Sequence, residues 1–258
     1  MAEIKIIFFD IDGTLVDPAT RQIPESTKEA LRRLWERGII LCVATGRPPA
    51  SLPDFSGLPF EVFSTFNGSL CYTDRETIYA NPISRKDVDQ LLENAAGLGR
   101  PVSVAVRHRL AANGVDQDLA DYYHLAGLVL AADADFDDVC KEPIYQIMLG
   151  SREEEHAAIL RETENVKIAI SWDRAVDVIP ADSGKGTAIA QILAHFGLDA
   201  SQALAFGDSY NDLDMLQAVG TGVAMGNAAQ ALKDIADDVC GHVSEDGIYH
   251  YCINHGLI

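Results

Sequence analysis

From Ile4 to Phe9 the chain is apolar and β-prone without alternation, broken only by Lys5, and it runs directly into Asp10-Ile11-Asp12-Gly13-Thr14-Leu15. A strand that does not alternate is buried on both faces, as strands are in a parallel sheet covered by helices. Pro24, Glu25 and Ser26 then open a helical pattern through Ala30, Leu31, Leu34 and Trp35 that stops at Gly38, and Ile39 to Ala44 reads as a second buried strand. Strand, helix, strand with short joints is a βαβ unit with a right-handed crossover. The same grammar resumes near the C-terminus, with a helix from about Lys185 to Phe196, a strand from Ala203 to Phe206, a helix after Asn211, a strand from Thr221 to Ala224 and a helix around Ala228 to Ile235.

In between the pattern changes. Amphipathic helices (Lys86 to Ala96, Gln117 to Leu125, Glu153 to Glu162) mix with strands (Val102 to Val106, Ile144 to Leu149, Lys167 to Trp172, Val176 to Ile179), several of which alternate or sit in hairpins. An α+β module with an antiparallel sheet follows, hinged at Pro82 and at Pro180 to Gly184. The sequence therefore predicts an α/β fold of two domains, which suits 258 residues. Residues 1–82 and 182–258 form a doubly wound parallel-sheet core, and residues 83–181 form an inserted domain.

Charge and cysteine usage narrow the function. Twenty basic residues against thirty-nine acidic ones give a formal charge of −19, a field that repels nucleic acid and anionic membrane surfaces. The same field opposes a small anionic substrate, so phosphate chemistry here requires locally placed positive charge. The five cysteines are scattered, with no CxxC pair, and the first apolar run is too short for a membrane span or a secretory core. Reduced thiols and a cytoplasmic location are expected.

Four segments carry chemistry. Asp10 and Asp12 stand at the carboxyl end of the first strand, where open α/β sheets bind ligands. Neighbouring carboxylates can divide labour, one ionised as nucleophile or metal ligand and one protonated as general acid, because like charges push their pKa values apart. A turn that merely favours Asp and Gly is the alternative; an EF-hand is excluded, since its glycine belongs at the sixth loop position and here stands at the fourth. Thr45-Gly46-Arg47-Pro48 ends the second strand with a hydroxyl and amides at a helix start, an anion site or an ordinary cap. Lys185, between Gly184 and Gly186, is a compact cation at another helix start, although the segment is no Walker A loop because position 179 is Ile. Asp208 and Asp212, on one turn after a buried strand, form an oxygen-rich cluster that suits Mg²⁺, whereas Asp214 reads as a solvated helix residue. The seven histidines are spread singly; His108 and Arg109 lie near a hairpin turn where they could reach a substrate, Trp172 reads as core, and Tyr122-Tyr123 as packing.

In order and in placement after strands, these four segments resemble the signature motifs of the haloacid dehalogenase superfamily. The segment Asp208 to Met215, the insert between the second and third motifs, and the ending Glu245-Asp246-Gly247-Ile248 resemble its type IIB, Cof-like branch. The resemblance covers essentially the whole chain and implies a Rossmann-like core with an α/β cap. It implies a Mg²⁺-dependent phosphatase acting on a small phosphorylated metabolite, chiefly a sugar phosphate. By the same resemblance Asp10 is nucleophile and metal ligand, and Asp12 is general acid/base with its main-chain carbonyl on the metal. Thr45 and Lys185 hold the phosphoryl group with the Gly46 amide, Asn211 faces it, and Arg47 faces the cap or the leaving group. Asp208 is the other carboxylate ligand, and Asp212 supports the metal shell. A phosphomutase using the same aspartyl-phosphate, and a non-catalytic phosphate-binding regulator, are the alternatives.

Overall fold

The computed structural model describes residues 3–125 and 127–258. The chain divides into two compact units, one made of the residues up to Arg47 with Pro53–Ala80 and Gly184–Ile258, the other of Pro48–Leu52 and Asn81–Ser183.

The first unit opens with β1 (Ile6–Phe9), all four side chains of which are fully buried. Helix α1 (Glu25–Glu36) buries Thr27, Ala30, Leu31 and Leu34 on one stripe and leaves Trp35 half exposed, as its 3.6-residue periodicity dictates. β2 (Ile40–Ala44), β3 (Val62–Thr65), β4 (Leu70–Tyr72) and β5 (Thr77–Ala80) follow. The last three had no counterpart in the sequence reading. They are three or four residues long and turn at Phe66-Asn67-Gly68, too short for a periodicity to register.

In the second unit α2 (Arg85–Gly97) is capped by Ser84, which accepts from the Asp87 N–H. β6 (Val102–Ala105), β7 (Leu110–Ala112), α3 (Gln117–Leu125), a single turn α4 (Phe136–Val139) and β8 (Gln146–Gly150) come next. The helix expected over Glu153 to Glu162 is only the turn α5 (His156–Ile159), preceded by a tighter turn at Glu153–Glu155 and ended before Glu162, whose φ is 59°. The Glu155 carboxylate caps the start of the turn, accepting from the Arg152 N–H and the Arg100 guanidinium, and Asn94 Nδ2 closes its end by donating to the Ile159 and Arg161 carbonyls at 2.9 and 2.8 Å. β9 (Val166–Trp172) and β10 (Ala175–Pro180) complete an antiparallel sheet in the order β7-β6-β8-β10-β9. Its own core packs Val102, Val104, Ile147, Leu149, Val176 and Val178 against the helices. Trp172 is half-buried with the Arg174 guanidinium 4.1 Å from its ring centre, and the Tyr122 hydroxyl donates to Asp177, so both aromatics also serve polar partners.

The chain re-enters the first unit through α6 (Lys185–Phe196), β11 (Ala203–Gly207), α7 (Leu213–Gln217), β12 (Thr221–Ala224), α8 (Gln230–Lys233), β13 (Asp238–Val239) and α9 (Gly247–Asn254). The sheet order is β13-β12-β11-β1-β2-β3-β4-β5, parallel from β13 to β3 and antiparallel thereafter. The fold is the expected α/β class, with β1 central. Phe9 stacks on Phe206 of the neighbouring strand, ring centres 5.4 Å apart, beneath the sheet end that carries Asp10. Burial of each such ring stabilises the fold by about 1.5–3 kcal/mol. Side chains that deep hold the backbone beyond them in place.

Candidate active site

Asp10 leaves β1 with its N–H still donating to the Phe206 carbonyl, so the residue is fixed by the ladder that forms the strand. The chain then coils tightly, Leu15 N–H donating to the Asp10 carbonyl and Val16 N–H to that of Ile11. Gly13 in this turn has φ 86°, and a Cβ placed on it would lie 2.3 Å from Asp208 Oδ2. Only glycine meets both demands, and its absence of a side chain lets the Asp208 loop close on the Asp10 loop. Thr14, fully buried, donates to Asp208 Oδ1 at 3.2 Å.

Lys185 is the hinge of the charge arrangement. Its ammonium, buried completely, sits 2.6 Å from Asp10 Oδ1 and 2.5 Å from Asp212 Oδ1. Asp212 has no exposed surface, and its second oxygen accepts the N–H groups of Asp208 and Ser209 at 2.9 and 3.0 Å. It therefore orients the lysine and the Asp208 loop together. Asp10, Asp208 and Asp212 each place a carboxylate oxygen within 4.8 Å of the others. Burial pushes the Asp10 carboxyl up to about 8 against the pull of Lys185, with Asp212 and Asp208 adding to the rise. Burial and then Asp212 push Asp208 up to about 7. Burial alone would lower Lys185, but Asp10 and Asp212 outweigh it and hold the ammonium charged. A cluster of buried carboxylates that retains protons is one a hard divalent cation can discharge. The all-oxygen donor set fits Mg²⁺, which takes one or two carboxylates with water and substrate oxygens.

The remaining expected residues fall around this cluster. Thr45, 1% exposed, ends β2, and its Oγ1 accepts the Arg47 N–H at 3.1 Å. Asp12 is exposed and its side chain stands outside the three-carboxylate group, gripped instead by Arg47. Asn211 is exposed and donates to Asn67 Oδ1 at 3.3 Å. Asp214 is exposed as expected, yet it accepts the Gly186 N–H at 3.0 Å and so braces the start of α6. His108 and Arg109 have acidic partners within the second unit, Glu142 and Asp135. Three residues went unread: Thr14, Asn67, and Asn227, which donates to the Gly13 carbonyl at 2.7 Å and accepts from Val243 N–H. The signal was available for Asn227, which follows the carboxyl end of β12, a strand the sequence shows; Asn67 follows β3, which it does not.

Comparison with known proteins agrees with this geometry. A family model described as haloacid dehalogenase-like hydrolase matches residues 7–252. YkrA of Bacillus subtilis (strain 168), which bears the name of a phosphatase, is 34% identical over 98% of both chains. The HMP-PP phosphatase of Cronobacter sakazakii is 29% identical over 96% of this chain and 94% of its own. Among solved structures, the HAD subclass IIB sugar phosphatase BT4131 superposes with a TM-score of 0.86 at 30% identity, over 98% of this chain and 100% of that one. The chain belongs to the haloacid dehalogenase-like hydrolase family.

Proposed function

We propose that this enzyme is a Mg²⁺-dependent phosphatase of small phosphomonoesters, sugar phosphates foremost, that works through an aspartyl-phosphate on Asp10. One observation carries the reading: a fully buried lysine clamped between Asp10 and Asp212, with Asp208 beside them, at the carboxyl ends of the adjacent strands β1 and β11. Such a site concentrates a nucleophile, a fixed cation and metal-ligating oxygens where a phosphoryl group can enter. The sugar-phosphatase and HMP-PP phosphatase relatives support the substrate class.

Spontaneous hydrolysis of phosphate monoesters is extremely slow, so charge stabilisation and positioning must lower the barrier. When bound at Asp10, Asp208 and the Asp12 main-chain carbonyl, Mg²⁺ supplies positive charge to the phosphoryl oxygens. An Asp10 oxygen forms a bond to phosphorus as the ester P–O bond breaks, and Asp12 gives its proton to the departing alkoxide. Asp12 then takes a proton from the water that attacks the aspartyl-phosphate, releasing inorganic phosphate and restoring Asp10. Lys185, Thr45 and Asn211 hold the transferring group, and Asp212 keeps Lys185 and the Asp208 loop in register. Residues 83–181 act as a cap that selects the leaving group.

No described helix is long and apolar enough to cross a membrane. The five cysteines are free, four of them buried, and we place the enzyme in the reducing cytoplasm on that basis. The test is release of inorganic phosphate from a panel of sugar phosphates with and without Mg²⁺. A phosphomutase would return an isomer, a regulator would return nothing, and either result sinks the proposal.

A further inference from the structure

Immediately after β3 two consecutive residues other than glycine adopt left-handed backbone, Phe66 with φ 53° and Asn67 with φ 50° and ψ 41°. L side chains avoid this region, asparagine least, so a pair of them needs surroundings that dictate the conformation. The surroundings here are the other loops of the site. Phe66 N–H donates to the Arg47 carbonyl at 3.1 Å and Asn67 N–H to the Thr45 carbonyl at 3.0 Å. The Asn67 carboxamide lies against Gly46, where an added Cβ would stand 3.0 Å from its Oδ1. Oδ1 accepts from Asn211, and Gly68 abuts the Gly184 carbonyl next to Lys185. One turn thus touches all three loops assigned to phosphoryl binding.

With Oδ1 committed to Asn211, Nδ2 is the end of the Asn67 carboxamide left as a donor, and it has no partner among the described residues. We propose that Asn67 is a phosphate-binding residue of this site, its Nδ2 donating to a non-bridging phosphoryl oxygen while Oδ1 aims Asn211 at the same group. The position demands a left-handed backbone and an uncharged donor together. Glycine offers the backbone without the donor, and aspartate offers the shape with a charge that repels phosphate. Asparagine satisfies both. The inference rests on the phosphatase reading above.

Two variants separate the roles. Asn67→Gly keeps the left-handed turn and removes the amide; Asn67→Asp keeps the shape and replaces the donor with an anion. With Mg²⁺ and p-nitrophenyl phosphate, Asn67→Gly should lower kcat/KM by about 10- to 100-fold, the range of one hydrogen bond to a charged group. It should weaken inhibition by orthovanadate by a similar factor while leaving Tm within a few degrees, and Asn67→Asp should lose more. If the wild type is active and Asn67→Gly stays within twofold in both measurements, or Asn67→Asp equals the wild type, the assignment is wrong. A fall in kcat/KM with vanadate inhibition unchanged would also overturn it, because the amide would then act only through the loops. If the wild type neither hydrolyses the ester nor responds to vanadate, the phosphatase reading itself fails and this inference with it.

Discussion

Arg47 holds Asp12 with two parallel hydrogen bonds, Nε to Oδ2 at 2.8 Å and Nη2 to Oδ1 at 2.6 Å. Both carboxylate oxygens accept, so Asp12 can protonate a leaving group only after at least one of these bonds opens. The proposed acid is thus parked in the resting enzyme. Asp12→Asn should slow aspartyl-phosphate formation from an alkyl phosphate by about 10²–10⁴-fold, the usual range for general acid–base catalysis. Formation from p-nitrophenyl phosphate should fall far less, since nitrophenolate departs without a proton. Rapid-quench measurement of both esters decides it, and equal losses would remove Asp12 from the acid role.

Asp10→Asn is nearly isosteric and keeps the N–H that donates to Phe206, but a neutral amide does not attack phosphorus. Phosphate release should fall below detection with circular dichroism unchanged. A folded variant with wild-type turnover would show that Asp10 is not the nucleophile.

Lys185→Met replaces a completely buried ammonium with a side chain of similar length and leaves Asp10 and Asp212 without their shared partner. Removing one member of a buried pair costs about 3–5 kcal/mol, because the other charge stays desolvated. Urea unfolding should register that loss in metal-free protein, together with loss of turnover. A stability change under about 1 kcal/mol would mean that the acids simply take up protons at no cost.

The two units should respond to acid with opposite sign when metal is absent. In the first, Asp10 and Asp208 are raised to about 8 and about 7, so the folded state binds more protons than the unfolded chain between pH 4 and 8. Stability of this unit therefore increases as pH falls through that window. In the second, the Arg152 guanidinium holds Asp118 below its ordinary value and Arg100 does the same for Glu155. Their contribution is complete above the unfolded values of about 3.9 and 4.3 and is lost as pH falls through the folded ones. Hydrogen exchange from pH 8 down to 3 should show first-unit amides gaining protection before second-unit amides lose it. Mg²⁺ should abolish the gain and release protons on binding. Parallel behaviour of both units would refute the assignment of the raised carboxylates.

β1, β2, β11 and β12 and the residues directly after them were legible because burial on both faces writes an unbroken apolar run, and because Asp, Thr and Lys at such ends announce a site. The sequence could not give the clamp of Lys185 between Asp10 and Asp212, since that depends on three loops meeting in space. Asn67 escaped for a different reason: β3 to β5 are short and their turn is held by tertiary hydrogen bonds, a constraint that leaves no periodic mark. The shortened helix at 153–162 shows the reverse, a good helical pattern cut off where the Asn94 carboxamide takes the Ile159 and Arg161 carbonyls.

β1 lies between β2, made soon after it, and β11, made near the end of the chain. At about 5–20 residues per second, the interval between finishing β2 and reaching β11 is on the order of 8–30 s. For that time, during which the second unit is synthesised, the nascent chain carries an apolar strand with one open edge. Asp10, Lys185, Asp208 and Asp212 cannot meet until the last quarter has left the ribosome. The growing polypeptide therefore completes the surroundings of Asp10 and its sheet in a single late event.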